Sequence, residues 1–379
     1  MSARDDHRAE MEATLRALSA SSLWRSPKPP SGLDLVSNDY LGLAAHPAVR
    51  DAMRKALAEG PAGSGGSRLL RGHHEGFDRL ETRLAAFSGT EAALFFGSGY
   101  LANVGLVPAL AGPDDLVISD EANHASLIDG IRLARARRVV LPHGDLGALE
   151  RALEGPRSGW AFVVTESVFS MDGDLAPLAE ITALAARHRG LVIVDEAHAT
   201  GLYGARGSGR VEALGLRDQV LATVHTGGKA LGCAGAWVAG SAALRDLLVN
   251  RARSFIYSTA PPPALADGLV AALGLVHEEP QRRHEVHRKA ALLRAELRAK
   301  GVAAPGEAAI VPVIAGSNEA ALRLQDGLQA EGFDVRAVRP PTVPAGTARL
   351  RVTVRCPTPD EELRRFAREV GRLLGQRAA

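Results

Sequence analysis

Lys229 lies in Thr226-Gly227-Gly228-Lys229-Ala230-Leu231-Gly232, directly after the apolar run Val220-Leu221-Ala222-Thr223-Val224. The chain has only five lysines (Lys28, Lys55, Lys229, Lys289 and Lys300), and its other basic side chains are arginine. A solvated ammonium accounts for the other four, which have polar or charged neighbours. A lysine among glycines at the end of a buried strand suits a task that arginine cannot perform: losing its proton and attacking a carbonyl.

A second constellation is Leu191-Val192-Ile193-Val194-Asp195-Glu196-Ala197-His198-Ala199-Thr200-Gly201. An Asp-Glu-Ala-His string also occurs as the metal-coordinating motif of P-loop ATPases, but that reading needs a G-x-x-x-x-G-K-[ST] loop. Gly228-Lys229 is followed by Ala230, and Thr223 stands where the first glycine should be. The alternatives left open are a cofactor grip and a turn. In the first, Asp195 pairs with a protonated pyridine nitrogen and His198 reaches a ring hydroxyl; in the second, Asp195 caps a turn and His198 is a satisfied loop histidine.

Gly97-Ser98-Gly99-Tyr100 is a glycine-rich turn between a strand and a helix, where backbone N–H groups suit a phosphate. Glycine is needed in tight turns anyway, and the string lacks the dinucleotide G-x-G-x-x-G form. His124, in Asp120-Glu121-Ala122-Asn123-His124-Ala125-Ser126, follows a strand and opens a helix, where it either stacks on a flat ring or decorates the helix start. His73-His74 and the His284/His287 pair lack the H-E-x-x-H spacing and any cysteine partner, so no metal is expected. G-x-S-x-G is absent, which removes the usual hydrolase elbow. An isolated lysine, a strand-end carboxylate, a ring-facing histidine and a phosphate turn together are what pyridoxal 5′-phosphate requires.

These groups need elements to hold them. Short apolar runs at residues 92–96, 116–118, 139–141, 161–164, 191–194, 221–224 and 236–239 alternate with longer amphipathic segments. The runs lack polar alternation, so they read as strands buried on both faces of a largely parallel sheet. In such a sheet ligands bind beyond the carboxyl ends of the strands, and there the polar groups recur: residues 97–100, 120–124, 166–172, 195–198 and 225–229. Before the sheet come a helical arm (residues 8–20) and the linker Ser26-Pro27-Lys28-Pro29-Pro30. After it, Pro261-Pro262-Pro263 precedes a helical stretch from Ala264 to about Lys300, strands at 310–314 and 350–354, and a charged helix from Asp360. The expected organisation is an arm and linker (1–37), a large cofactor-binding domain (38–262) and a small C-terminal α/β domain (263–379).

Composition excludes several other classes. Of 379 residues, 46% are apolar and 23% charged, with a net charge of +2 and interleaved signs, so no nucleic-acid footprint is present. Cys233 and Cys356 form no framework or ligand pair, which suits a reducing compartment. With no signal-like apolar region and no run of ~18 apolar residues, a cytoplasmic protein is the expectation.

Nearly end to end, the chain resembles the α-oxoamine synthases, fold-type I pyridoxal-phosphate enzymes that join an amino acid to an acyl thioester. The resemblance rests on Ser37-Asn38-Asp39-Tyr40-Leu41-Gly42-Leu43, Gly63-Ser64-Gly65-Gly66-Ser67-Arg68, Asn123-His124-Ala125-Ser126-Leu127, residues 165–174 and Val194-Asp195-Glu196-Ala197-His198. Ser67 and the string Arg339–Arg351 are most similar to the alanine-using members that act on a pimeloyl thioester of coenzyme A or a carrier protein in biotin synthesis. A glycine and acetyl-CoA member is the alternative, and a catalytically idle homologue the rival from another class.

The resemblance implies that Lys229 binds the cofactor as an imine, His124 stacks on its ring, Asp195 pairs with its nitrogen and His198 with its hydroxyl. By the same resemblance Gly99, Tyr100, Ser170 and Thr226 sit in the cofactor pocket. Tyr257, Ser258 and Thr259 reach the partner's phosphate in a homodimer with shared sites. Arg351 takes the substrate carboxylate, and Arg339 and Thr342 line the substrate site. The sequence departs from the family in two places: Gly227 stands where a bulkier, often aromatic, residue is usual, and the arm is short, leaving Arg25 as the candidate for the acyl carboxylate.

Overall fold

A computed structural model describes residues 2–375 of the chain. Its strands are β1 (Leu33–Asp34), β2 (Ala92–Phe96), β3 (Leu116–Asp120), β4 (Arg137–Leu141), β5 (Ala161–Glu166), β6 (Gly190–Asp195), β7 (Ala222–Thr226), β8 (Ala236–Gly240), β9 (Ile310–Gly316), β10 (Phe333–Asp334), β11 (Ala337–Val338) and β12 (Ala348–Thr353). They fall into two compact units, one of Asn38–Ser170 with Asp174–His287, the other of Met1–Ser37, Met171–Gly173 and Arg288–Ala379.

The larger unit is built on a seven-stranded sheet in the order β2-β8-β7-β6-β5-β3-β4. Neighbours from β4 to β7 pair in parallel, as expected, but β8 runs antiparallel to both β7 and β2. Orientation is not encoded in a continuous apolar run; the tight return from Thr226 to Ala236 sets it. Successive strand residues point to opposite faces, so Val117, Val164 and Ile193 enter one core while Ile118, Val163 and Val194 enter another. Strand β4 departs from the expected two-sided burial: it is the edge strand, and residues 137, 138 and 140 are exposed. Its arginines keep that edge from pairing further.

Helix starts behind the sheet are capped by side chains. Ser98 accepts the Leu101 N–H at the head of Gly99–Leu110, and His124 accepts the Ser126 N–H at the head of Ala125–Ala134. The helix Glu75–Ser88 ends at Gly89, whose φ of 68° is the left-handed conformation glycine adopts without a Cβ penalty.

The smaller unit has the antiparallel sheet β11-β12-β9 and the parallel pair β1-β10. The helices Asn318–Ala330 and Asp360–Gly375 cover a core of Leu35, Val311, Phe333, Leu350 and Phe366, among others. The helical stretch expected after Pro263 is instead two helices, Ala264–Glu278 and Gln281–Ala299, because Pro280 cannot continue the first. The two compact units part at His287/Arg288, and Ala264–Glu278 packs on Pro47–Glu59 and Glu75–Ser88 within the larger one. The arm helix begins at Ala3, earlier than the apolar pattern suggests, because Ser2 and Asp5 form a capping box.

Candidate active site

The carboxyl ends of the parallel strands bring the predicted groups together within the larger unit. Thr226 ends β7, and the chain turns back so that Gly227 N–H bonds Gly235 O (2.9 Å) and Cys233 N–H bonds Gly227 O (2.9 Å). Thr226 Oγ1 donates to Gly235 O and accepts from Gly228 N–H, both at 3.2 Å. This closed loop presents Lys229, whose Nζ lies 2.9 Å from His198 Nε2. The other ring nitrogen of His198, Nδ1, is 2.7 Å from Tyr40 Oη.

Asp195 ends β6 and is 6% exposed. Oδ2 accepts from Asn103 Nδ2 (2.7 Å) and Oδ1 from Ala197 N–H (2.8 Å), with no ion pair to a lysine or arginine among the described residues. His124 follows β3, at the head of its helix; the residue is exposed, but Nδ1 is tied to Ser126 Oγ at 2.8 Å. Its N–H donates to Glu166 Oε1 at 2.6 Å, and Glu166 lies beside Asp195 in the β5–β6 register.

The electrostatics follow from this crowding. Desolvation pushes His124 below its ordinary value; the Asp195 carboxylate opposes this and Lys229 adds to it. Burial, then the Asp195 charge, pushes Glu166 up to about 8, against the pull of Lys229 and the His124 N–H. Glu166 therefore keeps its proton at neutral pH.

The other predicted residues are distributed as follows. Gly99 and Tyr100 open the helix capped by Ser98; a Cβ at Gly99 would meet nothing within 4 Å, and Tyr100 donates to Asp129. Ser170 is buried, Ser258 half-buried and Thr259 exposed. Arg25, Arg339, Thr342 and Arg351 belong to the smaller unit. There Arg339 donates to the carbonyls of Ser22 and Trp24, and Arg25 to those of Arg339 and Pro340. Thr342 is exposed, and Arg351 Nη1 donates to Thr353 Oγ1 at 3.1 Å. Sequence reasoning missed Tyr40, Asn103, Ser126 and Glu166 as members of the site. Ser126 lies within the string around His124 and Asn103 just beyond the glycine-rich turn, but nothing in their spacing announces that they meet.

Neither histidine pair shows metal-site geometry. His73 pairs with Asp78, and His287 bonds Leu202 O. Among the described residues the one grouping with ligand-like spacing is Glu150, Glu154 and His188, away from these motifs.

The donor set suits pyridoxal phosphate. It offers an amine against an imidazole, a buried carboxylate with no lysine or arginine partner among the described residues to meet a pyridinium, and open backbone at a helix start to approach a phosphate. Comparison with known proteins agrees. Residues 30–370 match the family described as aminotransferase class I and II. An 8-amino-7-oxononanoate synthase from Geobacter sulfurreducens is 48% identical over 343 residues, 89% of this chain and 88% of the relative. A serine palmitoyltransferase variant from S. paucimobilis, solved with a bound PLP–myriocin aldimine, has a TM-score of 0.90 at 29% identity, covering 97% of each chain. The structure of 8-amino-7-oxononanoate synthase from Francisella tularensis has a TM-score of 0.81 at 25% identity, covering 92% of this chain and 99% of that one.

Fold and site together define a pyridoxal-phosphate enzyme of fold type I. Identity approaching one half along nine-tenths of both chains goes further: the chain belongs to the 8-amino-7-oxononanoate synthase family, within the class I and II aminotransferases.

Proposed function

We propose that the chain condenses L-alanine with a pimeloyl thioester, releasing carbon dioxide and the free thiol and giving 8-amino-7-oxononanoate for biotin synthesis. The observation that carries this reading is the Lys229 Nζ–His198 Nε2 contact of 2.9 Å at the strand ends that also hold Asp195 and His124.

Pyridoxal phosphate supplies an electron sink for the α-carbanion of the amino acid when bound. Lys229 would hold it through Nζ, and the same amine, when neutral, would take the α-proton of the amino acid and return one. Asp195 would face the pyridine nitrogen, with Asn103 and Ala197 donating to its carboxylate. His198, bonded to Tyr40, would reach the ring hydroxyl, and His124 would cover the ring face. Gly99, Tyr100, Ser170 and Thr226 would line the cofactor pocket. Arg351 binds the alanine carboxylate, for which a guanidinium fork is suited, with Arg339 and Thr342 beside the substrate and Arg25 toward the acyl carboxylate. Two copies pair so that Ser258 and Thr259 serve the partner's cofactor phosphate. No helix of the described residues is long and apolar enough to cross a membrane, and a cytoplasmic setting fits two cysteines that form no disulfide among the described residues.

Steady-state assays pairing alanine or glycine with pimeloyl-CoA, pimeloyl-carrier protein or acetyl-CoA test the reading. Alanine with a pimeloyl thioester should give the highest kcat/KM; preference for glycine with acetyl-CoA would overturn it. Lys229→Ala should abolish cofactor fixation by borohydride and lower condensation by about 10³-fold or more.

A further inference from the structure

Asn103 and Ser126 are 1% and 0% exposed. Asn103 lies on the helix Gly99–Leu110 and Ser126 on Ala125–Ala134, two helices packed against each other. Asn103 Nδ2 donates one proton to Asp195 Oδ2 (2.7 Å) and the other to Ser126 Oγ (2.9 Å). Ser126 Oγ lies 2.8 Å from His124 Nδ1, and Ser126 N–H donates to the same nitrogen at 3.2 Å.

The polarity of this chain is fixed at both ends. A carboxylate accepts at both oxygens, Oδ1 from the Ala197 N–H and Oδ2 from Asn103, so the amide turns its nitrogen, not its oxygen, toward Asp195. Ser126 Oγ accepts from that amide and has one proton left, which goes to His124 Nδ1. A backbone N–H can only donate, so the Ser126 main chain also requires a lone pair at Nδ1. In a neutral imidazole with a lone pair at Nδ1, the proton sits on Nε2.

We propose that Asn103 and Ser126 are positioning residues for the condensation: they hold His124 in the Nε2–H tautomer, so that it meets the substrate as a hydrogen-bond donor and not as a base. The proposal rests on the reading that His124 covers the cofactor ring. Through the same bonds, Asp195 is aimed at the cofactor nitrogen by the residue that polarises Ser126. The charged and titratable groups facing His124 are Asp195, Lys229 and Glu166. Buried hydrogen-bond chains of this kind gain strength from low local dielectric and lose it as a unit.

Histidine-selective ¹⁵N NMR of the cofactor-free wild-type protein at pH 7.5 tests the tautomer without reference to activity. His124 should show an unprotonated Nδ1 and a protonated Nε2; the reverse tautomer, or an imidazolium, would overturn the proposal. Ser126→Ala should admit the second tautomer, and with Asn103→Ala it should lower kcat about tenfold or more while KM for alanine moves less than about threefold. Variants that lose thermal stability but keep wild-type kcat per bound cofactor would show a structural role only and also overturn it. If a variant does not fold, the wild-type spectrum still decides. Wild-type protein inactive with alanine and a pimeloyl thioester would mark failure of the functional reading instead, leaving the tautomer measurement intact.

Discussion

Gly227 sits two residues before Lys229, where relatives by resemblance carry a bulkier side chain. The structure gives the physical reason for glycine in this chain. A Cβ there would fall 2.5 Å from Leu269 Cδ2 and 2.8 Å from Ala234 O. Leu269, fully buried, fills the floor beneath the lysine loop from a different helix. The leucine could yield, but the carbonyl belongs to the return that fixes β8 and cannot. Gly227→Ala should therefore cost about 1–3 kcal/mol of stability by overpacking, read as a fall of several degrees in the melting temperature of the cofactor-free protein. Leu269→Ala is itself destabilising, but in a double-mutant cycle the penalty of Gly227→Ala should shrink on that background only by the part due to the leucine side chain. An unchanged melting temperature would show that the loop relaxes freely. Lys229 itself was legible from composition alone; what lies beneath it was not, because a residue forty positions away supplies the packing.

His143 operates at the scale of elements. It follows the edge strand β4, and its Nδ1 lies 2.9 and 3.0 Å from the two carboxylate oxygens of Asp120, at the end of β3. Its Nε2 is 2.8 Å from Asp174 Oδ2, and its ring meets Phe169 edge-on at 4.4 Å. The segments leading to His124 and away from Ser170 are thus joined through one imidazole. The hydrogen bond that His143 donates to Asp120, then the one it donates to Asp174, raises it to about 10 against desolvation. A histidine raised from 6.5 binds its proton more tightly in the folded state, so its contribution is complete below about 6.5 and is lost as pH rises through 10. For Asp120, burial pushes upward, but hydrogen bonds from His143, Gly144 N–H and Ala122 N–H outweigh it, and that contribution is lost as pH falls. His143→Ala should lower the melting temperature most near pH 6 to 7 and converge on wild type toward pH 10; a pH-independent difference would exclude the charge pairing as its cause. Strand positions could be read from apolar runs because burial on both faces leaves that signature. The clamp could not, since its three members come from three separate connections, and neither could the reversed direction of β8, which depends on a turn rather than on the strand.

For the whole molecule, the chain returns to the smaller compact unit at Met171–Gly173, which no composition shift marks. Asp172 in that excursion pairs with the buried Arg349, and Gly173 O accepts from Glu307 and Ala308 N–H. Arg25 and Arg339, which the resemblance puts beside the substrate, donate to main-chain carbonyls of the same unit, a use that the sequence cannot separate from substrate binding. Leu70 is 85% and Tyr257 71% exposed, and their segments are joined by Ala260 N–H to Gly66 O (2.9 Å) and Ser64 Oγ to Pro261 O (2.6 Å). In the homodimer proposed above, a second copy would cover these open apolar side chains and bring Ser258 and Thr259 to a cofactor phosphate. Light scattering should therefore give about 80 kDa, twice the 39.8 kDa chain. Leu70→Asp should shift the protein toward monomer and lower cofactor affinity in step with dimer loss, restored at high protein concentration by mass action. A wild-type monomer with full activity and cofactor affinity would show that each chain completes its own site.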